Sequence, residues 1–174
     1  MRGLEGPARK RVLGLLGGAL LLTYAQILVG ALMRHTRSGL VCGFEILTCL
    51  GQLWPTGTFL GVQIHMWHRL VGLLAGIAVV AFGVALLRAA RGRRGLQAMG
   101  WAAMATVVAQ IVLGIYSVLL SRELVTMTFH SSVAALLLAE LVAAWWMVAP
   151  SRAPEAVQEH ELAPAKASGS LELA

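Results

Sequence analysis

Four apolar stretches, each long enough to cross a lipid bilayer, leave this chain few ways to fold. They run over about residues 12–33, 60–87, 98–120 and 125–149, and a helix needs roughly 20 residues to span the hydrocarbon core. In lipid every backbone N–H and C=O must be satisfied internally, and an apolar run of this length manages that as a helix. The composition agrees: of 174 residues, 58% are hydrophobic and 13% charged, against about 25% charged in a soluble domain. The sequence predicts an all-α membrane protein, a four-transmembrane-helix bundle made of two repeated helix pairs. Residues 1–11 form a cytoplasmic N-terminal segment, residues 12–149 the bundle with an outer loop at 35–59, and residues 150–174 a disordered cytoplasmic tail. The tail is rich in Ala, Glu, Pro and Ser, has too little apolar surface to fold alone, and carries His160 as a solvated residue. The first span reads as a mature helix: it is long for a signal peptide, and no clean small-residue cleavage site follows it.

The net charge of +6 argues for membrane topology rather than nucleic acid, because the cations fall in short clusters between apolar runs. Arg2, Arg9, Lys10 and Arg11 precede the first span, and Arg88, Arg91, Arg93 and Arg94 join the second to the third. The other two connections hold only Arg34, Arg37 and Arg122, with Arg69 just inside the second span. The bias predicts an N-in, C-in protein of the plasma (inner) membrane, with the loop at 35–59 facing outward. Trp145 and Trp146 near the inner end fit an aromatic belt.

The chain repeats weakly. "AQILVG" at residues 25–30 returns as "AQIVLG" at 109–114, and the "HMWHRLVGLLAG" and "MTFHSSVAALLLA" segments bring His68 into register with His130. Chance is the bland alternative, since Ala, Leu, Val and Gly fill every membrane helix; the shared Gln and His weigh against it. Repeat units often bind ligands at their interface. Gly72 and Gly76 follow His68 on roughly its own face, which suits close helix packing and equally a flat macrocycle.

An imidazole inside a span is costly without a partner. His68 and His130 lie at matching depth in two spans, and neutral imidazoles on facing helices are a standard way to hold a metal centre, haem iron above all. The alternative is a pair of hydrogen-bonded structural histidines. Zinc fits less well, because a closed site wants four ligands. His65, one turn before His68, reads as a second ligand, an acid or base, or an interfacial residue. Arg69 suits a haem propionate or a lipid phosphate. Cys42 and Cys49, the two cysteines of the chain, fit a disulfide in an oxidising compartment; a free thiol pair for redox exchange is the alternative. Glu140 is expected to face the bundle interior, as a protonated structural residue, a proton carrier or the holder of a partner such as Gln110. Glu45 reads as a loop carboxylate. The sequence holds no phosphate-binding Gly loop, hydrolase triad or nucleotide fingerprint.

At these residues the chain resembles the haem A synthase family, membrane proteins that convert haem O to haem A for cytochrome oxidase. The resemblance rests on "QILVGALMRHTRSGLVCGFEILTCLGQLWP" (26–55), with its Arg-x-Thr-x-Ser-Gly turn, Cys pair and Pro. It rests also on His68-Arg69, "QIVLGIYSV" (110–118) and His130, and covers roughly residues 12–148. It implies haem held by His68 and His130 as axial ligands, with Arg69 beside it. Haem b is the expected cofactor, with haem O or haem A as substrate or product. Family members have eight helices in two such halves, so the likeness is to the N-terminal half, and two sites would need a homo-oligomer. Haem O synthase or a terminal oxidase is the implied partner, and the electron donor is open. Members often carry a Glu, implicated in methyl oxidation, three residues before the ligand His; here it is His65, the one tentative catalytic residue. The competing expectation is a non-enzymatic b-type haem protein: an electron carrier, a haem store or a respiratory-complex subunit.

Overall fold

The computed structural model describes residues 4, 6–120 and 124–149. The tail with His160, and Arg2 and Arg122, lie outside the described residues. Four helices account for most of the rest: α1 (Gly6–His35), α2 (Leu60–Ala89), α3 (Arg94–Leu119) and α4 (Leu124–Val148). Each is long and apolar enough to cross a membrane. The all-helical, four-span architecture is as the sequence predicts, with one systematic difference. α1 starts well before its apolar run, taking in Arg9, Lys10 and Arg11, and α3 starts at Arg94 rather than near residue 98. Ala, Arg, Lys and Gln are good helix formers, and Pro7 in the first turn of α1 sacrifices no helical hydrogen bond. The helices therefore outrun the hydrophobic signal. At 1.5 Å per residue α1 and α2 are about 45 Å long, more than the roughly 30 Å of hydrocarbon.

Each helix packs on its chain neighbours and α1 closes on α4. α2 and α3 cross at a small-residue contact. A Cβ built on Gly83 would lie 3.1 Å from the Gly100 carbonyl oxygen, and one on Gly100 would lie 3.2 Å from that of Gly83. Such backbones approach because no side chain holds them apart. On the α1–α4 side, Gly17 receives the Trp145 ring at 3.8 Å, while Trp146 projects outward.

The interior is divided. The larger apolar cluster fills the end near the α2–α3 connection, with Val12, Leu16, Val79, Phe82, Leu86, Val107, Leu141 and Val148. A smaller one of Cys42, Cys49, Val62 and Met66 lies under the long loop. Between them, the described residues bury no large apolar side chain.

The α1–α2 loop is tied down at several points. Cys42 and Cys49 form a disulfide with Cα atoms 4.7 Å apart. A tight turn follows, in which Cys49 and Gln52 exchange backbone hydrogen bonds of 2.8 and 3.1 Å. Its central residues, Leu50 and Gly51, have φ of 54° and 75°, the mirror-image turn for which a glycine at the second position is suited. Gln63 donates to the Pro55 carbonyl at 2.7 Å and to the Thr58 hydroxyl at 3.0 Å. Trp54 meets Trp67 edge to face at 5.6 Å.

Candidate functional site

The layer between the two apolar clusters holds the paired histidines. Each belongs to the second helix of a pair and rests on a Gln and a Gly of the first. The Gln26 amide nitrogen stands 3.2 Å from Nδ1 and 3.3 Å from Nε2 of His68. A point that close to both ring nitrogens cannot lie in the ring plane without striking Cε1, so the amide covers the ring face. One turn along α1, Gly30 lets the ring edge in: a Cβ there would meet His68 Cε1 at 3.1 Å. α3 and α4 repeat this. Gln110 Nε2 lies 3.4 Å from His130 Nε2, and a Cβ on Gly114 would meet His130 Cε1 at 3.2 Å.

Helical geometry explains why this Gln–Gly pair works. Residues four apart share one helix face, so an amide and a bare patch of backbone face the neighbouring helix together. The repeat found in the sequence therefore encodes a cross-helix contact. The shared Gln was visible there as a pattern. Its role was not assigned, although a Gln–Gly spacing of four matched to a His in each following helix was a signal available to find it.

The two histidines lie at similar height. The Gly83–Gly100 contact fixes the register of α2 against α3. Counting equally from that crossing towards the loop end reaches His68 on α2 and Ile115 on α3, next to the Gly114 that receives His130. Several polar atoms in this layer and below it are buried without a hydrogen-bond partner: Gln26 Oε1, Gln110 Oε1, His130 Nδ1, Thr23 Oγ1 and Glu140 Oε2. Buried groups of this kind ordinarily find partners. The neutral-imidazole chemistry and the unpartnered His130 nitrogen fit a metal centre held by nitrogen ligands, while the glycine faces of the layer are taken up by the two rings, Gln26 and Ile111. Among the described residues no three His, Cys, Asp or Glu side chains cluster as a metal site.

The other sequence candidates fall into place around this layer. His65 is buried, and its Nδ1 donates to the Ser38 carbonyl at 3.0 Å. It faces the short 3-10 turn Ser38–Leu40, where the Thr36 and Ser38 hydroxyls are 2.7 Å apart. Arg69 turns to the disulfide loop, donating to the Thr48 carbonyl at 2.7 Å and also to the Glu45 carbonyl. The Glu45 carboxylate accepts from Thr48 Oγ1 at 2.5 Å and from the Gly51 N–H at 3.1 Å. These bonds hold its carboxyl below the usual carboxylate range. Glu140 accepts from Thr106 Oγ1 at 3.1 Å. Its bonded partner is thus Thr106 rather than Gln110, whose amide is turned to His130 on the same helix. Gly72 and Gly76, expected beside His68, serve helix packing: Gly72 backs onto Gln26 and Gly76 onto Ile111.

Comparison with known proteins places these features in a wider set. A family model described as cytochrome oxidase assembly protein (COX15-CtaA) matches residues 2–142. The chain is 27% identical over 143 residues to a haem A synthase of Alkalihalophilus pseudofirmus, an alignment covering 82% of this chain and 46% of that protein. It is 28% identical over 116 residues to a haem A synthase of Halalkalibacterium halodurans, covering 67% and 39%. It is 33% identical over 152 residues to a Thermus thermophilus protein named protohaem IX farnesyltransferase, covering 82% of this chain and 25% of that protein. The chain thus spans less than half the length of these curated relatives. No solved structure matches it.

Proposed function

Since the chain belongs to the COX15-CtaA family of cytochrome oxidase assembly proteins, we propose that it acts as a haem A synthase. In this reading His68 and His130 would hold the iron of a haem in the layer between the two apolar clusters. The carrying observation is the duplicated Gln–Gly–His arrangement, with the two imidazoles at similar height.

The bound haem supplies the redox chemistry. The chain's own residues orient and exclude. Gln26 and Gly30 fix the plane of the His68 ring, and Gln110 and Gly114 hold that of His130. The disulfide loop is held to α2 by Arg69 and Gln63 and meets the buried His65 through the Ser38 carbonyl. The proposed conversion takes the haem O methyl group to the formyl group of haem A. With water as the oxygen source, the methyl group and one water give the formyl group, four protons and four electrons, and an external oxidant would have to take the electrons. His65, one turn from His68 and fixed by the Ser38 carbonyl, is the group placed to accept a proton there. The Thermus relative is named for farnesyl transfer to protohaem, so a haem O synthase is the proposed source of the farnesylated substrate. The loop end is proposed to face outward, on the charge bias.

The test is a pyridine haemochrome spectrum of the purified protein with its extracted haems separated, alongside cells supplied with haem O. Haem retained by the wild type, haem lost on His68→Ala or His130→Ala, and haem A formed in the cells are the expected results. A double alanine variant that stays fully haem-loaded would refute the ligand pair. Retained haem with no haem A formed would remove the synthase activity and leave a b-type haem protein.

A further inference from the structure

We propose that the disulfide loop between α1 and α2 is a lipid-docking surface, with its exposed apolar side chains set into the boundary between headgroups and acyl chains of one leaflet. Between Arg37 and His65 the sequence has one charged residue, Glu45, and its carboxylate is bonded within the loop to Thr48 and Gly51. Around it Phe44, Ile46, Leu47, Leu50, Leu53 and Trp54 are exposed, Leu47 by 82% and Leu53 by 76%. Apolar surface gathered in this way marks an interaction site. Leu50 is the sharpest case. Its φ of 54° belongs to a turn position that normally takes Asn, Asp or Gly, and its side chain is exposed. A polar residue there would suit both the backbone and water, whereas a leucine suits lipid.

The depth of the loop decides what covers this surface. Arg69 and Arg88 on α2 are 19 positions apart, about 28 Å along a helix, which is close to the roughly 30 Å of hydrocarbon. Arginines at the two ends of a span reach for the headgroups and mark that boundary. Arg69 donates to the Thr48 and Glu45 carbonyls, so the loop does not stand clear above the helix ends. It lies alongside α2 at the height of Arg69, about 13 Å along the helix from its start at Leu60. Trp54 is at the same height, because its ring meets Trp67 of α2 at 5.6 Å, and Trp is the residue suited to this interface. Arg34 and Arg37, both exposed, flank the loop on the α1 side and fit lipid phosphates.

The experiment uses the full chain, disulfide intact, in phosphatidylcholine vesicles. Trp67, Trp101, Trp145 and Trp146 are replaced by Phe, which leaves Trp54 as the remaining Trp. Phosphatidylcholine brominated near the headgroup end of its acyl chains is expected to quench most of the Trp54 emission. Lipid brominated near the chain terminus, and acrylamide in the water, are expected to quench little of it. Strong quenching by acrylamide with none by either brominated lipid would overturn the proposal. Protection from all three quenchers would overturn it too, and would assign the surface to a second copy of the chain or to another protein. If the Phe variant fails to fold, the wild-type chain carries the test through a phosphatidylcholine with a photoreactive diazirine near the headgroup end of its acyl chain. Adducts on Leu47, Leu50 and Leu53 are expected, and adducts confined to the helices would overturn the proposal. Neither readout involves haem, so failure here leaves the ligand reading of His68 and His130 standing.

Discussion

A single methyl group added at Gly30 or Gly114 should disturb haem binding more than its size suggests. Built on the backbone, a Cβ at Gly30 would be 3.1 Å from His68 Cε1, and one at Gly114 would be 3.2 Å from His130 Cε1. Ordinary contact begins near 3.4 Å, so each ring must retreat by at least a few tenths of an ångström. For His68 the retreat is obstructed, because Gln26 lies on its face and is itself pressed against Gly72. Overpacking of this kind costs about 1–3 kcal/mol, and every 1.4 kcal/mol is a factor of ten in affinity. Gly30→Ala and Gly114→Ala are therefore each expected to lower haem affinity by about tenfold, in a titration followed by the haem absorption band. Gly18→Ala is the control: nothing lies within 4 Å of its Cβ, and alanine is the better helix former by about 1 kcal/mol. Folded Gly30→Ala and Gly114→Ala proteins that titrate like wild type would refute the placement of the rings against the helix backbones.

Three further outcomes follow from the loop. Reducing the Cys42–Cys49 disulfide releases a short closed loop, and the chain-entropy model puts the loss at about 2.5 kcal/mol; a melting temperature unchanged by reductant would contradict this. Arg69→Lys keeps the charge but loses the planar fork that reaches both the Glu45 and Thr48 carbonyls; faster hydrogen exchange across the disulfide loop is expected, with α3 and α4 unaffected. The Glu45 carboxyl titrates below its ordinary 4.5 in the folded loop, mainly through its bond from Thr48 and then that from Gly51. Its contribution is thus complete above that ordinary value and disappears as pH falls through the lower folded value. Loop protection, as exchange relative to the intrinsic rate at each pH, should be flat from neutral pH to about 5 and fall in stronger acid, and Glu45→Gln should abolish that fall.

What the sequence made legible is what hydrophobicity encodes. The four spans stand out because lipid demands long uninterrupted apolar runs. Their ends do not, because Arg9, Lys10 and Arg94 are polar yet helix-forming, so α1 and α3 continue past the apolar signal. The repeat was legible as letters, but the contact it serves runs between helices, and periodicity along one helix does not report what faces it. Arg69 shows the same limit. Its cationic end admitted a propionate or a lipid phosphate, while the fold gives it carbonyls more than 20 residues away. Glu140 was expected to face the interior, carrying protons, holding a partner such as Gln110 or serving as a protonated structural residue. It bonds instead to Thr106, one turn from Gln110, because Gln110 is engaged with His130.

The duplication also shows where the two halves part. Gln–Gly–His is common to both pairs, but the loop between α1 and α2 has no counterpart between α3, which ends at Leu119, and α4, which begins at Leu124. The disulfide, the Arg69 anchor and the His65–Ser38 bond therefore belong to His68 alone. A group held symmetrically by two equivalent imidazoles would thus meet unequal surroundings. On the His68 side stand a covered loop and a second buried imidazole; His130 has hydroxyl-bearing neighbours, Ser131 and Ser132, bonded back to their own helix. In the proposed reading the duplicated residues would grip a haem, and chemistry that acts on one part of the macrocycle would require something unduplicated. In this chain His65 and the loop above it supply that difference.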